Sequence, residues 1–273
     1  RFLLEYDQLR AKAGISVEER LELLSAHLDL VTGRDALYVE YISLLNCTGQ
    51  YDKALECLNG HLFHPWEGGE GKVSTQYRYA LTQKALGLLE SGNYDEASGF
   101  LRPRKYIQTI WEKENFRMSR TTSPTIISER PTRQRMTLLL PVSILKRLPQ
   151  DWMSHPASST TTTSPPTTIL YQGLANEELG NMAAAKKCYH QLLAFGKKHI
   201  FDEVTYDYFA VSLPEIEVFP DNIKERNDIY CRYLMALGHI GLGEKDEADA
   251  LLHEILRLKA DYQGAIRHLP MTE

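Results

Sequence analysis

The sequence predicts an all-α protein, a superhelix of stacked helical hairpins interrupted by one irregular segment. Three observations carry that prediction. Four segments align on a Gly-x4-Ala frame, apolar residues recur at helical spacing on both sides of each glycine, and the frame breaks once, where composition changes abruptly.

The elements follow in chain order. Residues 1–35 open with "RFLLEYDQLRAK", already helical in pattern, and read as a helical lead-in. A chain entering mid-helix at Arg1, with no Met and no signal peptide, reads as a piece of a longer protein. Residues 36–106 hold two repeats, "YVEYISLLNCTGQYDKALECL" and "LTQKALGLLESGNYDEASGFL", with Gly49 and Ala54 in the first and Gly92 and Ala97 in the second. Residues 168–202 hold a third, "ILYQGLANEELGNMAAAKKCY", with Gly180 and Ala185. Residues 203–228, broken by Pro214 and Pro220, read as an extended crossover. Residues 229–273 form the C-terminal repeat, "CRYLMALGHIGLGEKDEADALL", with Gly243 and Ala248. In each unit the glycine sits just past the first helix, where a positive φ ends it. The alanine five residues later lets two backbones approach closely. Tyr51 and Tyr94 would wedge the turn.

These residues resemble the tetratricopeptide repeat. Its small residues at the helix crossing fall here on Gly173 or Ala236 in the first helix and on the four alanines in the second. Leu58, Leu101, Tyr189 and Leu252 take the large position near the end of the second helix. The early Trp and closing Pro of that family are absent. The resemblance implies a right-handed α-α superhelix that binds a protein partner along the first helices. A carboxylate clamp is not supported, because the corresponding face is apolar: Val39, Leu86, Leu170, Leu174, Tyr233 and Leu237. With the crossover and the loop described below, the chain is also similar to the repeat region that follows a galactose-mutarotase-like domain in large bacterial proteins. That likeness implies that any carbohydrate-related activity belongs to the N-terminal part.

Residues 107–167 do not fit the array. Gly92 to Gly180 spans 88 residues, about twice the 43 from Gly49 to Gly92, so one repeat is missing. These 61 residues contain no Gly and no Tyr, hold 7 of the 12 prolines, and carry +4 against −5 for the whole chain. Reading codons from the third base of one residue, a free wobble choice, into the first two of the next can turn "IQTIWEKENF" into "PNNLGEGKLP". That peptide repeats the "GEGK" of residues 69–72. The same offset can turn "PTIISERPTRQRMTLLLPVSILKRL" into "YYYLGAAYEAADDFATASFYFEKAA", which carries the small, aromatic and alanine positions of a helical repeat. The segment therefore reads as translated out of frame between two compensating shifts, and its basic run carries no functional argument. Resequencing across codons 100–172 is expected to find an insertion or deletion at each end. An unbroken written frame would refute the reading.

A net charge of −5 argues against a generic nucleic-acid partner, and no apolar run is long enough to span a membrane. Cys47, Cys57, Cys188 and Cys231 are scattered, as expected of reduced thiols in a cytoplasmic protein. No metal spacing, cofactor motif or catalytic residue is assigned, and an enzyme is not expected. The best local candidate for chemistry is "HLFHPWEGGEGKV", where His64, Trp66, Glu67, Glu70 and Lys72 surround three glycines. It reads first as a loop between repeats and second as a ligand site. The leading function is thus a non-catalytic helical-repeat scaffold, a fragment of a larger bacterial protein. The alternative is an accessory region of a carbohydrate-active enzyme that lends the loop to a sugar site.

Overall fold

A computed structural model describes residues 2–64, 66, 69, 71–93, 96, 167–204 and 222–273. Ala97, Glu67, Glu70, residues 107–166 and residues 205–221 lie outside the described residues. Every regular element among the described residues is helical, and these elements belong to two compact units.

The unit drawn from residues 23–140 contains α3 (Leu28–Thr32), α4 (Asp35–Cys47), α5 (Tyr51–Gly60) and α6 (Lys72–Glu90). The α4 helix packs against the other three. It is apolar nearly all round and buries Leu37, Tyr38, Val39, Tyr41, Ile42, Leu44 and Leu45. Asn46 is buried with them and donates through Nδ2 to the Gln76 carbonyl (3.1 Å) and side-chain oxygen (3.0 Å), so its amide reaches α6.

The unit drawn from residues 1–22 and 141–273 contains α1 (Phe2–Lys12), most of α2 (Val17–Ser25), α7 (Thr167–Glu178), α8 (Met182–His199), α9 (Ile223–Leu242), α10 (Lys245–Leu258) and α11 (Gln263–His268). Here α8 packs between α7 and α9, and α9 between α8 and α10. Leu170, Tyr189, Leu192, Leu234, Leu237, Leu252 and Ile255 form the centre of one core. The residues expected to line an apolar first-helix face are largely spent on cores: Val39, Leu170, Tyr233 and Leu237 are buried, and Leu86 and Leu174 are half-buried.

Gly49, Gly92, Gly180 and Gly243 all have φ between +75° and +82°. After each, the next N–H closes back over the helix end: Gln50 to Leu45, Asn93 to Leu88, Asn181 to Asn176 and Glu244 to His239, at 2.7–3.0 Å. That bond caps an orphan carbonyl and needs a left-handed residue at the glycine. Gly14 does the same with φ +74°, and Ile15 N–H bonds the Arg10 carbonyl at 3.0 Å. On the helices that follow Gly49, Gly180 and Gly243, Ala54, Ala185 and Ala248 are fully buried.

Residues 223–228, expected within the extended crossover of residues 203–228, are helical. Helix α9 begins at Ile223, because Asn222 accepts from Glu225 N–H (3.2 Å) while its amide reaches the Glu225 carboxylate (3.3 Å). This reciprocal cap starts the helix at residue 223.

One buried polar group makes this unit sensitive to acid. His268 is 0% exposed, and its Nδ1–H donates to the Gly264 carbonyl at 2.8 Å, with Tyr233 Oη 3.0 Å from the same nitrogen. That leaves Nε2 to accept from the Tyr171 hydroxyl at 3.3 Å. Burial pushes its pKa down to about 4, the Gly264 bond opposes the shift, and neighbouring Arg267 adds to it. Unfolding frees the ring to protonate near its ordinary value of about 6.5, so the unfolded state binds more protons between those limits. Stability from this group is therefore complete above about pH 6.5 and is lost as pH falls towards 4. Two-state titration between these pKa values gives a loss of about 2 kcal/mol from pH 7 to pH 5. Native-state hydrogen exchange of α9 amides in wild type and His268→Gln should show that difference in slope. Equal slopes would refute it.

Candidate functional site

The loop after α5 is organised by a residue outside it. Asp35 opens α4, and its carboxylate accepts from His61 Nε2–H at 2.6 Å, from the His64 backbone N–H at 2.6 Å and from His64 Nδ1–H at 3.2 Å. Burial by itself raises the Asp35 carboxyl, but these hydrogen bonds outweigh it and hold the pKa below the usual carboxylate value. His61 lies edge-on between the rings of Tyr38 and Phe63, at centroid distances of 4.9 and 4.6 Å. Loop entry is thus fixed to the start of α4 by one carboxylate and a small aromatic cluster.

The predicted site residues divide accordingly. The His64 side chain is 78% exposed and turned to Asp35, and Lys72 is the first residue of α6. Trp66 is half-buried, and a Cβ on Gly69 would stand 2.2 Å from its ring, so the loop backbone lies directly on the indole. These placements give His64 a partner that spacing could not name, since Asp35 is 29 residues away. Sequence reasoning also missed the role of His61. Among the described residues, no group of three His, Cys, Asp or Glu side chains is placed to hold a metal ion.

A second constellation joins three helices around one ring. Tyr189 on α8 is 1% exposed, and its hydroxyl donates to Glu177 at 3.0 Å. A Cβ on Gly173 of α7 or on Gly241 of α9 would each come within 2.1 Å of this ring. A Cβ on Gly238 would meet the Tyr189 carbonyl at 2.9 Å, and one on Gly196 would meet the Cys231 carbonyl at 2.6 Å. Helices α7, α8 and α9 are therefore joined where side chains are missing. The sequence marks Gly173 and Tyr189 for this crossing. It does not mark Gly241, which lies two residues before the capping Gly243 and looks like part of the turn.

The family model for the tetratricopeptide repeat matches residues 167–194, which cover α7 and most of α8. No solved structure matches the chain. The α7–α8 hairpin is thus similar to a tetratricopeptide repeat, and the tyrosine-into-glycine joint lies at its helix crossing and continues onto α9.

Proposed function

We propose that the chain is a non-catalytic helical-repeat scaffold of the cytoplasm, a part of a larger bacterial protein, holding a protein partner or the preceding domain of that protein. The observation that carries this reading is the tetratricopeptide hairpin at residues 167–194. Its inward residues are consumed by packing against α9, and its outward face exposes Lys186, Lys187, His190 and Gln191 together with the apolar Leu179 and Met182. Repeat hairpins of this kind act by presenting such outward surfaces to partners. The loop at residues 61–71 supports the scaffold over an accessory sugar site. Its His64 ring is given to Asp35 and its Trp66 ring is covered by Gly69, so both side chains serve closure of the loop.

The test is photo-cross-linking in the native cell, with a benzophenone amino acid placed singly at His190 on α8 and at Arg257 on α10, both exposed. A discrete adduct containing one partner, or the preceding domain, is expected from at least one position. No adduct at either position, together with saturable binding of a galactoside that Trp66→Ala abolishes, would transfer the function to the sugar site.

A further inference from the structure

Helix α8 carries Lys186, Lys187, Lys197 and Lys198 and no acidic residue, in a chain with 36 acids to 31 bases. All four lysines are exposed, and none has an ion-pair partner among the described residues. At 100° per residue, Lys186 and Lys197 form one row and Lys187 and Lys198 a second. His190 and the small side chains of Ala183 and Ala194 lie between them, all three exposed. Acids nearest in sequence lie off the helix, and two are engaged: Glu177 by Tyr189 and Asp202 by His199, at 3.0 and 2.6 Å.

Stability of the helix explains half of this. Lys197 and Lys198 sit in the last turn, where the helix dipole favours cations. Lys186 and Lys187 are the fifth and sixth residues of the helix, where the dipole gives a cation no support, and no acid stands in the first turn. Large apolar side chains are exposed at both ends of the same helix: Met182 at the start, and Phe201, 88% exposed, just past the end. A basic face of small central relief, with an apolar residue at each end, is complementary in charge and shape to a partner of the opposite pattern.

We propose that the outer face of α8 docks an acidic protein segment in extended conformation, its carboxylates pairing with Lys186, Lys187, Lys197 and Lys198 and its apolar ends covering Met182 and Phe201. The spacing sets the ligand. The two lysine pairs are about 16 Å apart along the helix, and the apolar ends about 28 Å. An extended chain covers those distances in about five and nine residues, so acidic pairs should recur five residues apart between apolar ends. This inference rests on the scaffold reading and names the class of partner.

The probe is a fluorescein-labelled peptide, FGEESGSEEF, titrated by anisotropy with the full chain. Expected are saturable binding, about 30-fold weaker binding by the quadruple variant K186E/K187E/K197E/K198E, and about 5-fold weaker binding by F201A. The peptide SGEEFGFEES, with the same charge and the same acid spacing but central aromatics, should bind about 5-fold more weakly. A second variant with all four lysines changed to Gln should fall between wild type and charge reversal. That ranking separates lost pairing from lost folding. No binding at the highest peptide concentration, or equal binding by wild type and the quadruple variant, overturns the proposal. So does tighter binding of phosphatidylserine vesicles or of a short DNA duplex than of the peptide. Cross-links in the cell from Arg257 but none from His190 would retain the scaffold and overturn this docking face.

Discussion

Arg20→Met is expected to destabilise the unit built from residues 1–22 and 141–273 by about 3–5 kcal/mol, the usual cost of removing one partner of a buried ion pair. The side chain of Arg20 is 2% exposed and that of Asp7 0%. Arg20 Nε and Nη2 donate to the two Asp7 oxygens at 3.0 and 2.8 Å, a bidentate fork, while Nη1 reaches Asp261 at 2.7 Å. Burial alone would lower the Arg20 pKa, but hydrogen bonds and charge from Asp7 and Asp261 outweigh it and raise the pKa above its ordinary value. Methionine fills much of the arginine volume but leaves Asp7 desolvated and unpaired, which is where the cost arises. The double change Arg20→Met with Asp7→Leu should recover most of the loss, because a well-packed apolar pair avoids both desolvation terms. Asp261→Asn should cost less, since its side chain is 18% exposed and water can replace the bond. Hydrogen exchange of α9 and α10 amides reads these effects within the unit. A loss under about 1 kcal/mol for Arg20→Met, or a double variant no better than the single, would refute the account.

That triad also shows where sequence reading stops. Helix ends were legible because a left-handed residue after a helix strongly favours glycine, and the fixed distance to a buried alanine repeats. Gly14 makes the same turn yet escaped the frame, because position 19, five residues on, holds Glu. Burial there passes instead to Val17, Arg20 and Leu21, a pattern the alanine frame cannot register. Arg20 reads as one more charge on a polar helix, since its partners lie 13 and 241 residues away. His64 was visible as a polar residue beside glycines, but its partner Asp35 was not, for the same reason. The crossover boundary was misplaced although the Asn222–Glu225 cap was present in the sequence. Prolines at 214 and 220 signal a break in a helical pattern more strongly than an N-x-x-E signature signals a helix start.

Tyr189→Ala is expected to cost about 3–5 kcal/mol, the range for removing a buried aromatic side chain. Gly241→Ala should cost about 1–3 kcal/mol through overpacking, because its new Cβ would stand 2.1 Å from Tyr189 Cδ1. The informative result is their combination. If the cost at position 241 is the clash with this ring, Gly241→Ala should add almost nothing once Tyr189 is alanine, giving a coupling of about 1–3 kcal/mol. Additive costs, measured by hydrogen exchange of α7 amides, would mean that Gly241 matters through its own backbone and would refute the joint. Gly241→Ala should not act through capping, since the positive φ belongs to Gly243 and the bond from Glu244 N–H to the His239 carbonyl remains. Coupling would also make the family match a lower bound on the repeat's cooperative unit. Residues 167–194 cover the ring and Gly173, but the ring's second contact is on α9, so the hairpin cannot bury Tyr189 without the helix that follows.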